Sequence, residues 1–255
     1  MSSVLSLPIL LKELRLSAFI KHWESMADKA INQQWSPQQY LVNLCEQESA
    51  LRYERRIKRM IREAKLPPAK SLSSFDFEAI KSINKIQIDA LLNDVSWALR
   101  AQNLLFFGPS GVGKTHLAAA IGYGLIEKNI RVKFTTATAL VQTLSQAREE
   151  LSLNEALNRL DKFAVLIIDD IGYVKKNEAE SQVLFELIAH RYETGSMIIT
   201  SNHPFSQWDK IFEDNMMTVA AIDRVVHHAQ ILEIDAESYR KKQSLKRRKI
   251  NMKND

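Results

Sequence analysis

The stretch GPSGVGKTHL, Gly108 to Leu117, follows the apolar run Leu104-Leu105-Phe106-Phe107 and holds three of the seven glycines in a chain of 255 residues. It fits G-x-x-x-x-G-K-[ST] from Gly108 to Thr115, between a predicted strand and a predicted helix as the pattern requires. A chain that wraps a phosphate must turn successive backbone N–H groups inward, through positive φ values and close approaches that a β-carbon would block. The helix that follows adds the positive end of its dipole. Gly108, Pro109, Ser110, Gly111, Val112, Gly113, Lys114 and Thr115 are therefore the expected cradle of a nucleoside triphosphate, with His116 beside them. Lys114 is expected to bridge the β- and γ-phosphates and the Thr115 hydroxyl to ligate Mg2+. His116 has no second metal-ligand residue at helical spacing and reads as a packing or hydrogen-bonding group; His227-His228 read the same way.

Two further stretches belong to the same chemistry. VLIIDD, Val165 to Asp170, is a buried-strand pattern ending in two carboxylates, whose side chains leave the strand in different directions. Asp169 is expected to hold Mg2+ through water, and Asp170 to orient the attacking water. The strand pattern at Met197–Thr200 brings Thr200, Ser201 and Asn202 to a strand end, where Asn202 is the expected sensor of the γ-phosphate. A phosphoryl-transfer transition state also needs positive charge. Arg224, in AAIDRVVHH, is the best source, and its predicted helix lies far from its own phosphate loop, so it would act on a neighbouring subunit's nucleotide.

Strand patterns at Leu104–Phe107, Val132–Phe134, Ala164–Asp169, Met197–Thr200 and Gln230–Ile234 alternate with helical ones, including Glu178–Tyr192 and Ala220–His228. Such alternation implies an α/β fold with a parallel sheet and ligands beyond the carboxyl ends of its strands. Two long helical patterns fill the first 66 residues, the second opening at Ser36-Pro37 and stopped by Pro67-Pro68. The expected organisation is a helical N-terminal domain over 1–66, a linker and the start of the ATPase module over 67–102, the core over 103–236 and a basic tail over 237–255.

The net charge of +5 is unevenly spread: Arg52–Lys65 carries +5 and Tyr239–Asp255 carries +7, leaving −7 for the rest. Two basic segments on an acidic body suggest a polyanionic partner. At 100° per residue Arg52, Arg55, Arg56, Arg59 and Arg62 share one helical face, with Tyr53, Ile57, Met60, Ile61 and Ala64 opposite. No zinc-finger or helix-turn-helix spacing is present, so the expected contact is with a duplex backbone, salt-dependent and weakly sequence-selective. One cysteine, Cys45, rules out a disulfide within the chain, and no apolar run reaches membrane-spanning length; the expectation is a cytoplasmic protein with no membrane contact.

Taken with the phosphate loop, the stretches LIIDDIGY, LIAHRYETGSMIITSN, FSQWDKIF, AAIDRVVHH and ESYR resemble the IstB-type ATPases, helper proteins of two-gene insertion sequences, over nearly the whole chain. That family is similar to DnaC-type helicase loaders and DnaA initiators of the AAA+ class. The resemblance implies a five-stranded sheet with a further strand between the phosphate-loop and acidic strands. It also implies ATP-dependent homo-oligomerisation on duplex DNA, as a ring or filament, and delivery of that DNA to a partner transposase. Two departures stand out. Only 21 residues follow Ile234, too few for the helical lid of most AAA+ proteins, and Asp170 stands where many have glutamate. Arg240, in ESYR, matches the family without an assigned role. A replicative helicase loader is the alternative reading, and a small-molecule kinase, which needs an acceptor pocket and a closing lid, is the third.

Overall fold

The computed structural model describes residues 6–80, 82–173, 178–212, 215–236 and 238. The chain divides into two compact units, Met1–Arg59 and Met60–Asp255.

The first unit holds α1 (Leu7–Glu13), α2 (Ser17–Asn32) and most of α3 (Pro37–Ala64). Ser36 and Gln39 open α3 reciprocally: Gln39 N–H donates to Ser36 Oγ at 3.2 Å and Ser36 N–H to Gln39 Oε1 at 2.8 Å. This is a capping box with glutamine in the third position, and it starts the helix where the Ser-Pro pair predicts. Glu48 of α3 closes the start of α2 by accepting the Ala18 N–H at 2.7 Å, while Arg52 Nε donates to its other oxygen at 2.8 Å. Burial pushes the Glu48 carboxyl upward, but the Arg52 guanidinium and the Ala18 amide outweigh it and hold the group below its ordinary range.

In the second unit α4 (Lys85–Asn93) precedes a five-stranded sheet. Its strands are β1 (Asn103–Phe107), β2 (Val132–Thr136), β3 (Val165–Asp169), β4 (Ser196–Ser201) and β5 (Ala229–Glu233). Strand order is β2-β3-β4-β1-β5 and every pairing is parallel. The three inner strands are buried at every position, as near-continuous apolar runs covered on both faces must be. The helices are α5 (Lys114–Glu127), α6 (Ala137–Glu149), α7 (Leu153–Leu160), α8 (Glu178–Arg191) and α9 (Asn215–Val226). The expected extra strand between β1 and β3 is β4.

Some boundaries move. Helix α4 lies in the segment over 67–102 read as linker and start of the ATPase module, capped by Asn84 Oδ1, which accepts the Ile86 N–H at 3.0 Å. Helix α9 starts five residues before the predicted Ala220 and stops before His227. Of the apolar face expected on α3, Met60 and Ala64 are buried, whereas Tyr53 and Ile61 are exposed. Among the described residues no helix follows β5. The basic tail from Tyr239, Arg240 included, lies outside the described residues.

The amino end of the sheet is tied by Arg191, which is 1% exposed. Its guanidinium donates to Leu160 O at 3.3 Å, Phe163 O at 3.2 Å, and Ala164 O and Ser196 O at 3.0 Å each. Those carbonyls span the end of α7 and the starts of β3 and β4. Burial pushes the group down to about 10, opposed by the charge of Asp161, so it stays charged at neutral pH.

Candidate functional site

Parallel pairing brings the carboxyl ends of β1, β3 and β4 to one edge of the sheet, and the predicted phosphate loop, Asp169, Asp170 and Asn202 end or follow those strands there. The phosphate loop has Gly108, Gly111 and Gly113 at φ of 147°, 85° and 104°, a conformation that side chains rarely adopt. Gly108 has a second constraint: a β-carbon on it would stand 2.3 Å from Ile234 O, where the chain leaves β5. Lys114 is 5% exposed, and its Nζ donates to Gly108 O at 2.7 Å and Pro109 O at 2.9 Å. A buried ammonium in a loop turned by left-handed glycines suits a polyphosphate. Val112 is buried, and Pro109 and Ser110 are exposed.

Asp169 sits between loop and sheet. Thr115 Oγ1 donates to Asp169 Oδ2 at 3.1 Å, and Thr200 Oγ1 donates to Asp169 Oδ1 at 2.7 Å. The same Thr200 oxygen accepts the Asp170 N–H at 2.8 Å. A hydroxyl and a carboxylate in contact at the loop are hard oxygen donors of the kind that fit Mg2+. Asp170 itself has φ 58°, left-handed backbone that aspartate and asparagine tolerate better than glutamate. The shorter acid at this position thus has a backbone reason.

Asn202 follows β4. Its Oδ1 is buried and has no hydrogen-bond partner among the described residues, an orphaned polar atom at the strand ends. It sits so close to Gly172 that a β-carbon there would fall 2.3 Å from it. His116 turns to the preceding segment: its Nε2 lies 3.0 Å from Ser71 O and 3.2 Å from Ser74 Oγ, and its ring meets Phe75 edge-on. That is the packing and hydrogen-bonding use read from the sequence.

Arg224 stands at the other end of the sheet. The Asn103 side chain donates to Val225 O at 2.9 Å and Asn103 N–H to His228 O at 2.8 Å, fixing the end of α9 at the start of β1. The five residues of β1, Asn103 to Phe107, separate that point from the phosphate loop by roughly 16 Å of strand. The Arg224 guanidinium donates to Ala220 O at 3.0 Å and lies 5.2 Å over the Phe185 ring.

The five arginines of α3 are all exposed, but they are not equivalent. Arg52 is bonded to Glu48 and Arg15 O, Arg55 to Ser17 Oγ, and Arg56 lies 5.8 Å from the Tyr53 ring. The Glu48–Arg52 pair at i, i+4 was legible in the sequence. From sequence Thr200 reads only as a strand-end residue, because its contact with Asp169 depends on which strands are neighbours.

A family model of IstB-like ATP binding proteins matches residues 9–247. A candidate insertion-sequence ATP-binding protein of Sinorhizobium fredii is 48% identical, the match covering 94% of this chain and 80% of that one. A candidate ATP-binding protein of insertion sequence IS21 from Pseudomonas aeruginosa is 35% identical, covering 94% of this chain and 90% of its own. Among solved structures, a DnaC helicase loader superposes with a TM-score of 0.54 at 21% identity, over 65% of this chain and 97% of that one. A likeness at that identity speaks for the AAA+ fold alone.

Proposed function

The chain belongs to the IstB-like ATP-binding proteins, and from that premise we propose that it is an ATPase that assembles on duplex DNA and presents that DNA to a partner transposase. The observation that supports this reading is the separation of Arg224, whose helix is fixed at the start of β1, from the Lys114–Asp169 edge of its own copy.

Lys114 and the loop amides hold the triphosphate in place. Thr115 and Asp169 are the residues that would hold Mg2+, which neutralises charge on the phosphate oxygens. Asp170 orients a water in line with the γ-phosphorus and takes its proton as the bond to the bridging oxygen breaks and ADP leaves. Asn202 fixes the same water or a γ-oxygen through its amide. Arg224 of an adjoining copy balances the charge that develops, so hydrolysis depends on assembly. A head-to-tail contact of this sort generates rings or filaments.

The N-terminal region, 1–66, is assigned to contact with DNA or with the transposase. Arg56, Arg59 and Arg62 are its foremost phosphate contacts, since Arg52 and Arg55 are also engaged in bonds within the first unit. The core over 103–236 carries hydrolysis, 67–102 leads into it, and the tail over 237–255 supplies further positive charge. No helix among the described residues is long and apolar enough to cross a membrane. The names of the relatives favour transposition over helicase loading.

Mixing a Lys114→Ala chain with an Arg224→Ala chain tests the shared site. Each alone is expected to be inactive, and a one-to-one mixture to recover about a quarter of wild-type ATPase activity, the share of head-to-tail interfaces that unite an intact loop with an intact arginine. No recovery in assemblies shown to be mixed would remove Arg224 from the mechanism.

A further inference from the structure

At the edge of the sheet opposite the phosphate loop, three side chains converge that the proposed mechanism does not use. Glu193 follows α8 in left-handed backbone, φ 58°, and His227 and His228 form the turn between α9 and β5. A carboxylate oxygen of Glu193 and a ring nitrogen of each histidine all lie within 4.8 Å of one another, and the three residues are exposed. We infer that Glu193, His227 and His228 form a site for a divalent cation of the zinc class, with three protein ligands and an open fourth position.

The donor set suits that ion. Two imidazole nitrogens and one carboxylate oxygen are borderline ligands, and the combination of two histidines and one acid with an open position recurs in zinc sites. Tetrahedral zinc at about 2.0–2.1 Å from each ligand needs donor atoms roughly 3.3 Å apart. The exposed side chains therefore have to close by about 1.5 Å at most from their present spacing, a rotamer adjustment at a solvated surface.

The scaffold under the site is fixed. His228 O accepts the Asn103 N–H at 2.8 Å, so the second histidine is pinned to the first residue of β1. His227 N–H donates to Asp223 O at 2.9 Å, which keeps the first histidine on the end of α9. On the other side, Thr194 N–H and Gly195 N–H both donate to Arg191 O at 3.1 Å, and Arg191 is the buried tie of the sheet. Tyr192 Oη lies 3.0 Å from His227 Nδ1, a partner of the kind that orients a ligating ring from its second nitrogen.

The sequence hides this site because the third ligand lies 34 residues before the first histidine and on another element. Helical spacing from His227 leads to Asp223, four residues earlier, and not to Glu193. The inference stands independently of the assembly reading, since it requires only one copy of the chain.

Zinc competition against a chromophoric chelator, on the full chain with excess Mg2+ and no nucleotide, tests it. The wild type is expected to hold one more tight equivalent of zinc than His227→Ala or His228→Ala, each of which weakens that equivalent at least about 100-fold. Glu193→Gln, which keeps the shape of the side chain, is expected to weaken it about 10-fold or more. Lys114→Ala is expected to bind zinc as the wild type does. Circular dichroism melts in the absence of metal check that the variants are folded, and added zinc should raise the melting temperature of the wild type but not of His228→Ala. Equal stoichiometry and affinity in the wild type and both histidine variants, or no tight equivalent in the wild type, would overturn the site.

Discussion

Arg191→Met is expected to lower the melting temperature of the protein by about 6–20 °C. The guanidinium is buried and donates to four carbonyls drawn from the end of α7 and the starts of β3 and β4. Methionine fills most of the volume but donates nothing, so those carbonyls lose their shared partner and Asp161 loses its nearby positive charge. Breaking a buried, hydrogen-bonded ionic arrangement from one side costs about 3–5 kcal/mol, and a unit of this size moves by about 2–4 °C for each kcal/mol. Arg191→Lys is expected to recover less than half of the loss, since a single ammonium cannot span positions that a planar five-donor group reaches at once. Differential scanning calorimetry reads both. A Met variant melting within about 2 °C of the wild type would mean that the carbonyls find other donors and that Arg191 is not the tie.

The second large effect concerns Thr200. Thr200→Val keeps the shape of the side chain and removes both the bond to Asp169 Oδ1 and the acceptor for Asp170 N–H. Each buried group left unpaired costs about 1–3 kcal/mol, and the left-handed backbone of Asp170 loses the contact that holds it. The expected result is a fall in kcat for ATP hydrolysis of about 10–100-fold, with nucleotide affinity within about threefold of the wild type, because the phosphate loop is untouched. Thr200→Ser keeps the hydroxyl and should restore most of the rate. A Val variant with wild-type kcat would show that Asp170 is positioned without this residue. A loss of nucleotide binding as large as the loss of rate would make Thr200 a structural support of the loop instead.

Much of this site is legible in the one-dimensional pattern, for a physical reason. The phosphate loop and the acidic strand end are local motifs, whose residues have to be neighbours in sequence to do their work. Thr200 is different. Its partner is Asp169 on another strand, and the register that sets Ile168 opposite Ile199 puts Asp169 beside Thr200. Only the strand order reveals that β3 and β4 are adjacent. Gly113 shows the same limit: its positive φ follows from the motif, but the Phe75 ring 3.0 Å from where a β-carbon would stand comes from the segment before the sheet. Helix α4 is hard to read from sequence because nine residues are too short a window for the helical period to stand out after a stretch rich in proline and serine. The arginine face of α3 is correct as geometry, yet two of its five members are bonded to residues of their own unit.

One contact of the last strand reaches further than its size suggests. Ile234 O occupies the place a methyl on Gly108 would need, Ile234 N–H is donated to Phe107 O at 2.7 Å, and Asp235 N–H to Ser82 Oγ at 3.0 Å. The exit of β5 is thereby a buttress for the first residue of the loop, braced from two distant stretches of chain. Sliding that exit by one residue would withdraw the buttress from the mouth of the site.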